Sequence, residues 1–554
     1  MQIVIPMSGF GERFRNKGYK IPKPLILIDD KPIIAHVIEM FPSETDFTFI
    51  CNEDHLLNED YNMQSIILTH CPTANIVSIK PHKLGPAHAV LQIIDKLFLN
   101  KPVVINYCDF CCYWNWEDFK KFVQVKKCDG AIPAYKGFHP HSLGTTNYAY
   151  IKETKKKVID IQEKKPFTSN KMNEFASSGT YYFSTAKKLK EALKFQIKNK
   201  YKIKGEYYLS LSYKKLLKEK DLVLVYPIQH FMQWGTPEDV IEYNYWSSAF
   251  KKLCKKVNKQ NQKTGTILIP MAGFGQRFVE EGYKTIKPLI NVSGLPMVVK
   301  SINDLPPSKN HILVIRDDMN GVRNELMKYN NVISNLRIQS IKNKTKGQAE
   351  TALLGIVDKK TELIKNLNPL TIGACDNGVI YNQKKLNDII QKKNIDIIVW
   401  GIRGYPNSLR YPEMYGWIED NDNIIKRVSV KKPIVGENNA IIIGTFTFKD
   451  KNQFIKIAKK LFDRSGSVNG EYYIDSCIND AIKLGLRCFL FEIDSYLCWG
   501  TPNDLRTFNY WQSCFHKWKH HPYTLDDDVK ITSDVLPKIR EVIEKEKQTF
   551  RVIE

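Results

Sequence analysis

Residues Ile3 to Ile33 read IVIPMSGFGERFRNKGYKIPKPLILIDDKPI, and residues Ile267 to Met297 read ILIPMAGFGQRFVEEGYKTIKPLINVSGLPM. Placed side by side without a gap, 17 of the 31 positions are identical at an offset of 264. Further matches follow in the same order. Cys108-Asp109 answers Cys375-Asp376, Gly205-Glu206-Tyr207-Tyr208 answers Gly470-Glu471-Tyr472-Tyr473, and Trp234-Gly235-Thr236-Pro237 answers Trp499-Gly500-Thr501-Pro502. A period this long is too large for a solenoid unit and reads as two whole homologous domains. The expected division is 1–250, a Lys/Asn-rich linker over 251–263, a second domain over 264–518, and a charged, helical C-terminal tail over 519–554. Each domain has about 250 residues, enough to bury its own core.

Composition narrows the class. Of 554 residues, 43% are hydrophobic and 25% charged, which fits a globular protein and argues against global disorder. No apolar run approaches the roughly 18 residues of a membrane span, and the start, MQIVIP, lacks a signal peptide's basic flank. A cytoplasmic protein with no membrane insertion is therefore expected. The net charge of +23 raises the question of nucleic acid. Lysine supplies nearly all of it, and no arginine occurs between Asn16 and Gln276, whereas a nucleic-acid reader uses arginine for bidentate contacts. A solvated lysine surface is the reading taken, with no nucleic-acid partner. The 12 cysteines are scattered without zinc-ligand spacing and read as reduced, packed thiols.

Within each repeat, short apolar strands alternate with helical patterns, which implies a mostly parallel mixed sheet covered by helices on both faces. Ligands of such sheets bind beyond the carboxyl ends of the strands. The loop Gly9-Phe10-Gly11-Glu12-Arg13 follows the first strand, and Gly273 to Arg277 repeats it. Glycines let backbone N–H groups approach a phosphate, and a following helix N-terminus adds positive potential. Arg13 is followed ten residues later by Lys23-Pro24-Leu25, and Arg277 ten residues later by Lys287-Pro288-Leu289. Two fixed cations flanking a glycine loop suit a triphosphate whose charge grows on leaving pyrophosphate. The loop is neither a dinucleotide fingerprint, because Phe14 replaces the third glycine, nor a Walker loop, because no GK[ST] follows.

Strand-GxGxR-(x9)-KP resembles the signature of the nucleotide-sugar pyrophosphorylases, sugar-phosphate nucleotidyltransferases with a GT-A-like, Rossmann-like fold. The resemblance covers nearly all of both repeats. It implies that Gly9, Gly11, Arg13 and Lys23, and Gly273, Gly275, Arg277 and Lys287, hold a nucleoside triphosphate. It places Gly85 and Ala87, with Gly347 and Ala349, near the base, and Asp109 and Asp376 as Mg²⁺ ligands. Glu163-Lys164, before Pro166, would hold the sugar phosphate, as would Lys431 of the second repeat. Glu206 and Glu471 are candidates for the acceptor hydroxyls, or else belong to a capped helix start.

The departures are as informative. The family's second metal aspartate is Gln233 in one repeat and Cys498 in the other; Glu163 becomes Val430; and Tyr148-Ala149 becomes Tyr415-Gly416. The two acceptor pockets are therefore expected to differ. The resemblance implies transfer of a nucleotidyl group to a phosphorylated acceptor, a sugar 1-phosphate above all, to make a precursor of surface or capsule polysaccharide. The rivals are one domain, the second above all, acting as a non-catalytic nucleotide-binding regulator or scaffold, and a nucleotide-sugar-dependent glycosyltransferase. Base, acceptor and oligomeric state stay open.

Overall fold

A computed structural model of the protein describes residues 1–145, 147–255, 263–358, 367–434, 436 and 438–545. Most of the expected linker (256–262) and the last nine residues of the tail lie outside the described residues. Two large sheets organise the chain. The first contains β1 (Gln2–Met7), β2 (Phe47–Asn52), β3 (Asn75–Ile79), β4 (Val103–Asn106), β5 (Gly130–Tyr135), β6 (Ala149–Thr154), β7 (Lys157–Glu163), β8 (Phe175–Ser177), β9 (Thr180–Phe183) and β10 (Val223–Pro227). Their spatial order is β3-β2-β1-β4-β9-β5-β10-β7-β6-β8.

The second sheet contains β11 (Thr266–Pro270), β12 (Asn310–Arg316), β13 (Leu336–Ile341), β14 (Leu370–Ile372), β15 (Ile397–Ile402), β16 (Gly416–Asn421), β17 (Ile424–Val430), β18 (Ala440–Phe448) and β19 (Cys488–Glu492). Its order, β13-β12-β11-β14-β18-β15-β19-β17-β16, repeats the first. One continuous strand, β18, does the work of β8 and β9 together, pairing with β16 at one end and β14 at the other.

The expected α/β architecture is present twice, with the parallel pairing more confined than the strand–helix alternation implies. In the first sheet only β1–β2, β2–β3, β1–β4 and β5–β10 run parallel. The rest is antiparallel because β6 and β7 form a hairpin and β9 returns against β4. The central strands β1 and β4 are buried along their whole length, consistent with their largely apolar sequence.

Two helices join the halves. Helix α1 (Pro237–Leu253) and helix α2 (Pro502–Lys517) each begin in the Trp-Gly-Thr-Pro segment, where Thr236 and Thr501 cap the first turn reciprocally with Asp239 and Asp504. The helices pack on one another with Trp246, Phe250, Phe508 and Phe515 in a single core that runs through both halves. The contact is reciprocal. The Tyr245 hydroxyl donates to the Tyr496 carbonyl at 2.9 Å and accepts from the Tyr496 N–H at 2.7 Å. The Tyr510 hydroxyl does the same to Phe231, at 2.8 and 3.0 Å. Both relations carry the offset of 265, so one chain reproduces the isologous interface of a two-fold dimer. Past α2, helix α3 (Leu536–Lys545) buries Ile539 and Ile543 against Leu295 and Leu525. Among the described residues no helix is long and apolar enough to cross a membrane.

Candidate active site

The first half opens a cleft of about 500 Å³ at the carboxyl ends of β1 and β4. Gly9, Gly11, Arg13, Lys23, Gly85, Asp109, Glu163, Lys164 and Glu206 all line it. Glu12, Arg13, Lys23, Lys83, Glu163, Lys164 and Glu206 all bring charge to the lining, and Asp109 lies beyond the end of β4.

The glycine loop is shaped by its own backbone. Gly11 is left-handed at φ +64 and precedes a helical turn of only four residues, Glu12–Arg15. So short a helix carries little macrodipole, and the attraction for anions expected there falls to the free N–H groups and the cations. A Cβ on Gly9 would meet nothing within 4 Å, so this glycine leaves open space toward the cleft. Gly85 is different in kind: at φ +88, a Cβ would lie 2.7 Å from the Tyr207 carbonyl oxygen. Gly347 repeats this against Tyr472, also at 2.7 Å. Ala87 and Ala349 are fully buried and donate their N–H groups to the Tyr207 and Tyr472 carbonyls, both at 3.0 Å. They anchor the turn on the Gly-Glu-Tyr-Tyr segment and do not face the cleft.

Lys23 and Asp109 meet directly. The ammonium donates to Asp109 Oδ2 at 2.8 Å, with side-chain exposures of 24% and 22%. Burial pulls the lysine pKa down, but the carboxylate outweighs it, and the ammonium is held charged. Lys287 and Asp376 repeat the pair at 2.6 Å, with Lys287 also donating to the Gly500 carbonyl at 2.9 Å. Neither aspartate caps a helix, since each is followed by a short strand. Gln233 converges on the first pair: a Cβ on Gly235 would overlap the Gln233 amide and lie 3.2 Å from Asp109 Oδ2. In the second half Cys498 stands there, its thiol pushed well up by burial.

On the acceptor side, Glu163 and Ala149 are opposite each other at the mouth of the β6–β7 hairpin. Glu163 accepts from the Ser210 hydroxyl at 2.6 Å, and burial raises its pKa to about 7. Lys164 has a left-handed backbone at φ +59, and so does Lys431 at φ +62. Each donates its N–H across the hairpin, to Tyr148 and Tyr415 respectively. The left-handed conformation thus recurs at the equivalent lysine of the second half. The Lys164 ammonium and the Glu206 carboxylate both bond to the Tyr208 hydroxyl. Helix Leu209–Lys218 starts at Tyr208 with no side-chain cap, so Glu206 is not a helix cap.

The second half distributes its residues differently. A cavity of about 740 Å³ is lined by Arg277, Lys431 and Glu471 together with Leu143, Glu242 and Trp246 from the first half. Gly273, Gly275, Lys287, Gly347 and Asp376 lie outside it. Arg316 ties the second glycine loop back, donating to the Ala272 and Gly273 carbonyls at 2.7 and 2.8 Å, with its guanidinium 4.1 Å from the Phe274 ring centre.

No family model matches the chain. A bifunctional protein GlmU from Methanocaldococcus jannaschii is 24% identical over 288 residues, which are 51% of this chain and 61% of that protein. A mannose-1-phosphate guanyltransferase beta-A from Xenopus laevis is 26% identical over 196 residues, 34% of this chain and 50% of its own length. Its sequence relatives are nucleotide-sugar pyrophosphorylases. The chain spans between about half and three fifths of the length of these two curated relatives. Among solved structures, a nucleoside-diphosphate-sugar pyrophosphorylase from Vibrio cholerae overlays with a TM-score of 0.37 at 20% identity, over 44% of this chain and 99% of its own.

Sequence reasoning missed Tyr208 and Lys83 as cleft residues, and Ser210 as the buried hydrogen-bond partner of Glu163. Tyr208 closes the quoted Gly-Glu-Tyr-Tyr segment, and Ser210 lies two residues beyond it. Lys83 carries no such signal: its partner across the cleft mouth, Glu12 at 2.6 Å, is 71 residues away.

Proposed function

We propose that the first half transfers a nucleotidyl group from a nucleoside triphosphate to a sugar 1-phosphate. The observation that carries this is the cleft in which a glycine loop, the cations Arg13 and Lys23, and the Glu163–Lys164 pair share one space. A phosphate oxygen of the acceptor attacks the α-phosphorus in line, the bond from that phosphorus to the bridging oxygen breaks, and pyrophosphate leaves with both electrons. The acceptor is already an anion, so no general base is required. Arg13 and Lys23 balance the charge growing on pyrophosphate, and Glu163, Lys164 and Glu206 orient the acceptor by charge-assisted hydrogen bonds.

The donors fit Mg²⁺ as an ion that brings most of its ligands with it. Lys23 engages Asp109 through one carboxylate oxygen, and the Gln233 amide adjoins it. Among the described residues no three His, Cys, Asp or Glu side chains converge, so phosphate and water would supply the remaining ligands. Asp109 would hold the ion, which would neutralise triphosphate charge.

The tandem halves, 1–250 and 264–518, would then be one catalytic unit and one related binding unit. Favouring a non-catalytic second half is its cavity, which does not reach the Lys287–Asp376 pair. A nucleotide-activated sugar for surface polysaccharide, made in the cytoplasm, is the product that fits.

The test is pyrophosphate release by the full chain supplied with each common nucleoside triphosphate, Mg²⁺ and a panel of sugar 1-phosphates. Arg13→Ala removes an exposed side chain, so melting should be unchanged while turnover falls by about a hundredfold or more. Arg277→Ala with Lys287→Ala should leave turnover within about twofold. Unchanged release from Arg13→Ala in that double background overturns the assignment.

A further inference from the structure

Three aligned positions change together between the halves. Ala149, Glu163 and Ser210 of the first half correspond to Gly416, Val430 and Asp475 of the second. In the first half, Ala149 and Glu163 pair across the hairpin and Ser210 donates to Glu163 at 2.6 Å. In the second, Gly416 and Val430 pair in the same register, and Asp475 lies in the first turn of helix Ile474–Lys483. The strand has lost its carboxylate, and the helix facing it has gained one.

The glycine explains how. A Cβ built on Gly416 would overlap Asp475 Oδ2, so the alanine of the first half is incompatible with this placement of the Asp475 side chain. Val430 does not contest the space as a second acid would. Asp475 acts electrostatically on Lys431, which lines the second cavity with Glu471 and Tyr473. Burial raises its pKa to about 6 against the pull of that lysine. The Asp475 carboxylate occupies the place from which Ala149 lines the first cleft, and a glycine leaves that place clear for it.

We propose that Asp475 is the acceptor-binding carboxylate of the second site, moved from the strand position that Glu163 holds to the helix position that Ser210 holds. This rests on the reading of the chain as a sugar-phosphate nucleotidyltransferase. The second site then takes the same chemical class as the first, a hydroxyl-rich phosphate, with Lys431 on the phosphate and Asp475 on a hydroxyl. Because the carboxylate comes from the opposite wall on a shorter side chain, the two sites select different hydroxyl stereochemistry.

Calorimetric titration of the full chain tests this, with glucose 1-phosphate, mannose 1-phosphate and N-acetylglucosamine 1-phosphate as probes. The first site is weakened by Glu163→Gln with Lys164→Ala, so that the remaining binding reports the second. Asp475→Asn in that background should weaken binding at least tenfold. The triple exchange Gly416→Ala, Val430→Glu and Asp475→Ser should restore it with the wild-type first site's preference among the probes. Unchanged affinity in Asp475→Asn overturns the inference, and so does the absence of second-site binding to all three probes. Pyrophosphate release by the otherwise unaltered chain is read separately. Release together with an unchanged affinity in Asp475→Asn sinks only this inference, and no release sinks the reading beneath it.

Discussion

Gly85→Ala and Gly9→Ala separate the glycines that hold the fold from those that leave room for a ligand. At Gly85 the new methyl would sit 2.7 and 2.8 Å from the Tyr207 oxygen and nitrogen, backbone atoms that cannot swing aside. At φ +88 and ψ 172 the backbone is essentially glycine-only and costs an alanine about 1–3 kcal/mol, and overpacking adds about 1–3 kcal/mol, for a total of roughly 2–6 kcal/mol. At about 2–4 °C per kcal/mol for a domain of this size, melting of the first half should fall by at least about 4 °C. Gly9 has open space, so its substitution should stay within about 0.5 kcal/mol of wild type. It should instead raise the KM for nucleoside triphosphate, because the methyl stands where phosphate approaches the backbone. Differential scanning calorimetry and pyrophosphate release, run on both variants, read the two effects. A Gly85→Ala melting point within 2 °C of wild type, or a Gly9→Ala loss as large as that of Gly85→Ala, would refute the packing argument.

Two further predictions follow from buried groups. Tyr245→Phe and Tyr510→Phe each strand a backbone N–H and C=O of the opposite half, at about 1–3 kcal/mol apiece, and calorimetry should show two drops of similar size; a drop from only one would deny the reciprocity. Glu163 titrates near pH 7 when folded and near 4.5 when not, so its contribution is intact below the unfolded value and is lost as pH rises toward 7, by about 3 kcal/mol in all. Glu163→Gln does not titrate, so its melting point should gain on wild type between pH 5 and pH 8; a gap independent of pH would show that burial does not set this pKa.

The repeat, the glycine loops and the α/β class were legible in the sequence because they are local. Each rests on residues within about thirty positions, and the second copy doubles the signal. The Lys23–Asp109 pair was legible as two separate residues with two separate tasks. That they bond to one another is a fact of tertiary approach across 86 residues. The left-handed backbones of Lys164 and Lys431 left no trace, since lysine is a poor marker for positive φ. Ala87 and Ala349 were expected near the base; both are fully buried with their N–H groups on the Tyr207 and Tyr472 carbonyls, a bonding that a motif does not spell out. Val430 was visible as a loss, whereas Asp475 was overlooked as a gain. A substitution on one element is compensated on another, and only the folded hairpin and helix bring the two together.

The mirrored tyrosine clasps have a consequence for how the halves can change. Separate subunits joined through a self-matching face must carry every mutation twice, and they part on dilution. Tethered in one polypeptide, the two copies keep a fixed one-to-one stoichiometry at any protein concentration, and each is free to vary alone. Glu242 and Arg410 already use that freedom, forming a 2.8 Å ion pair whose aligned counterparts, Thr507 and Leu143, can form none.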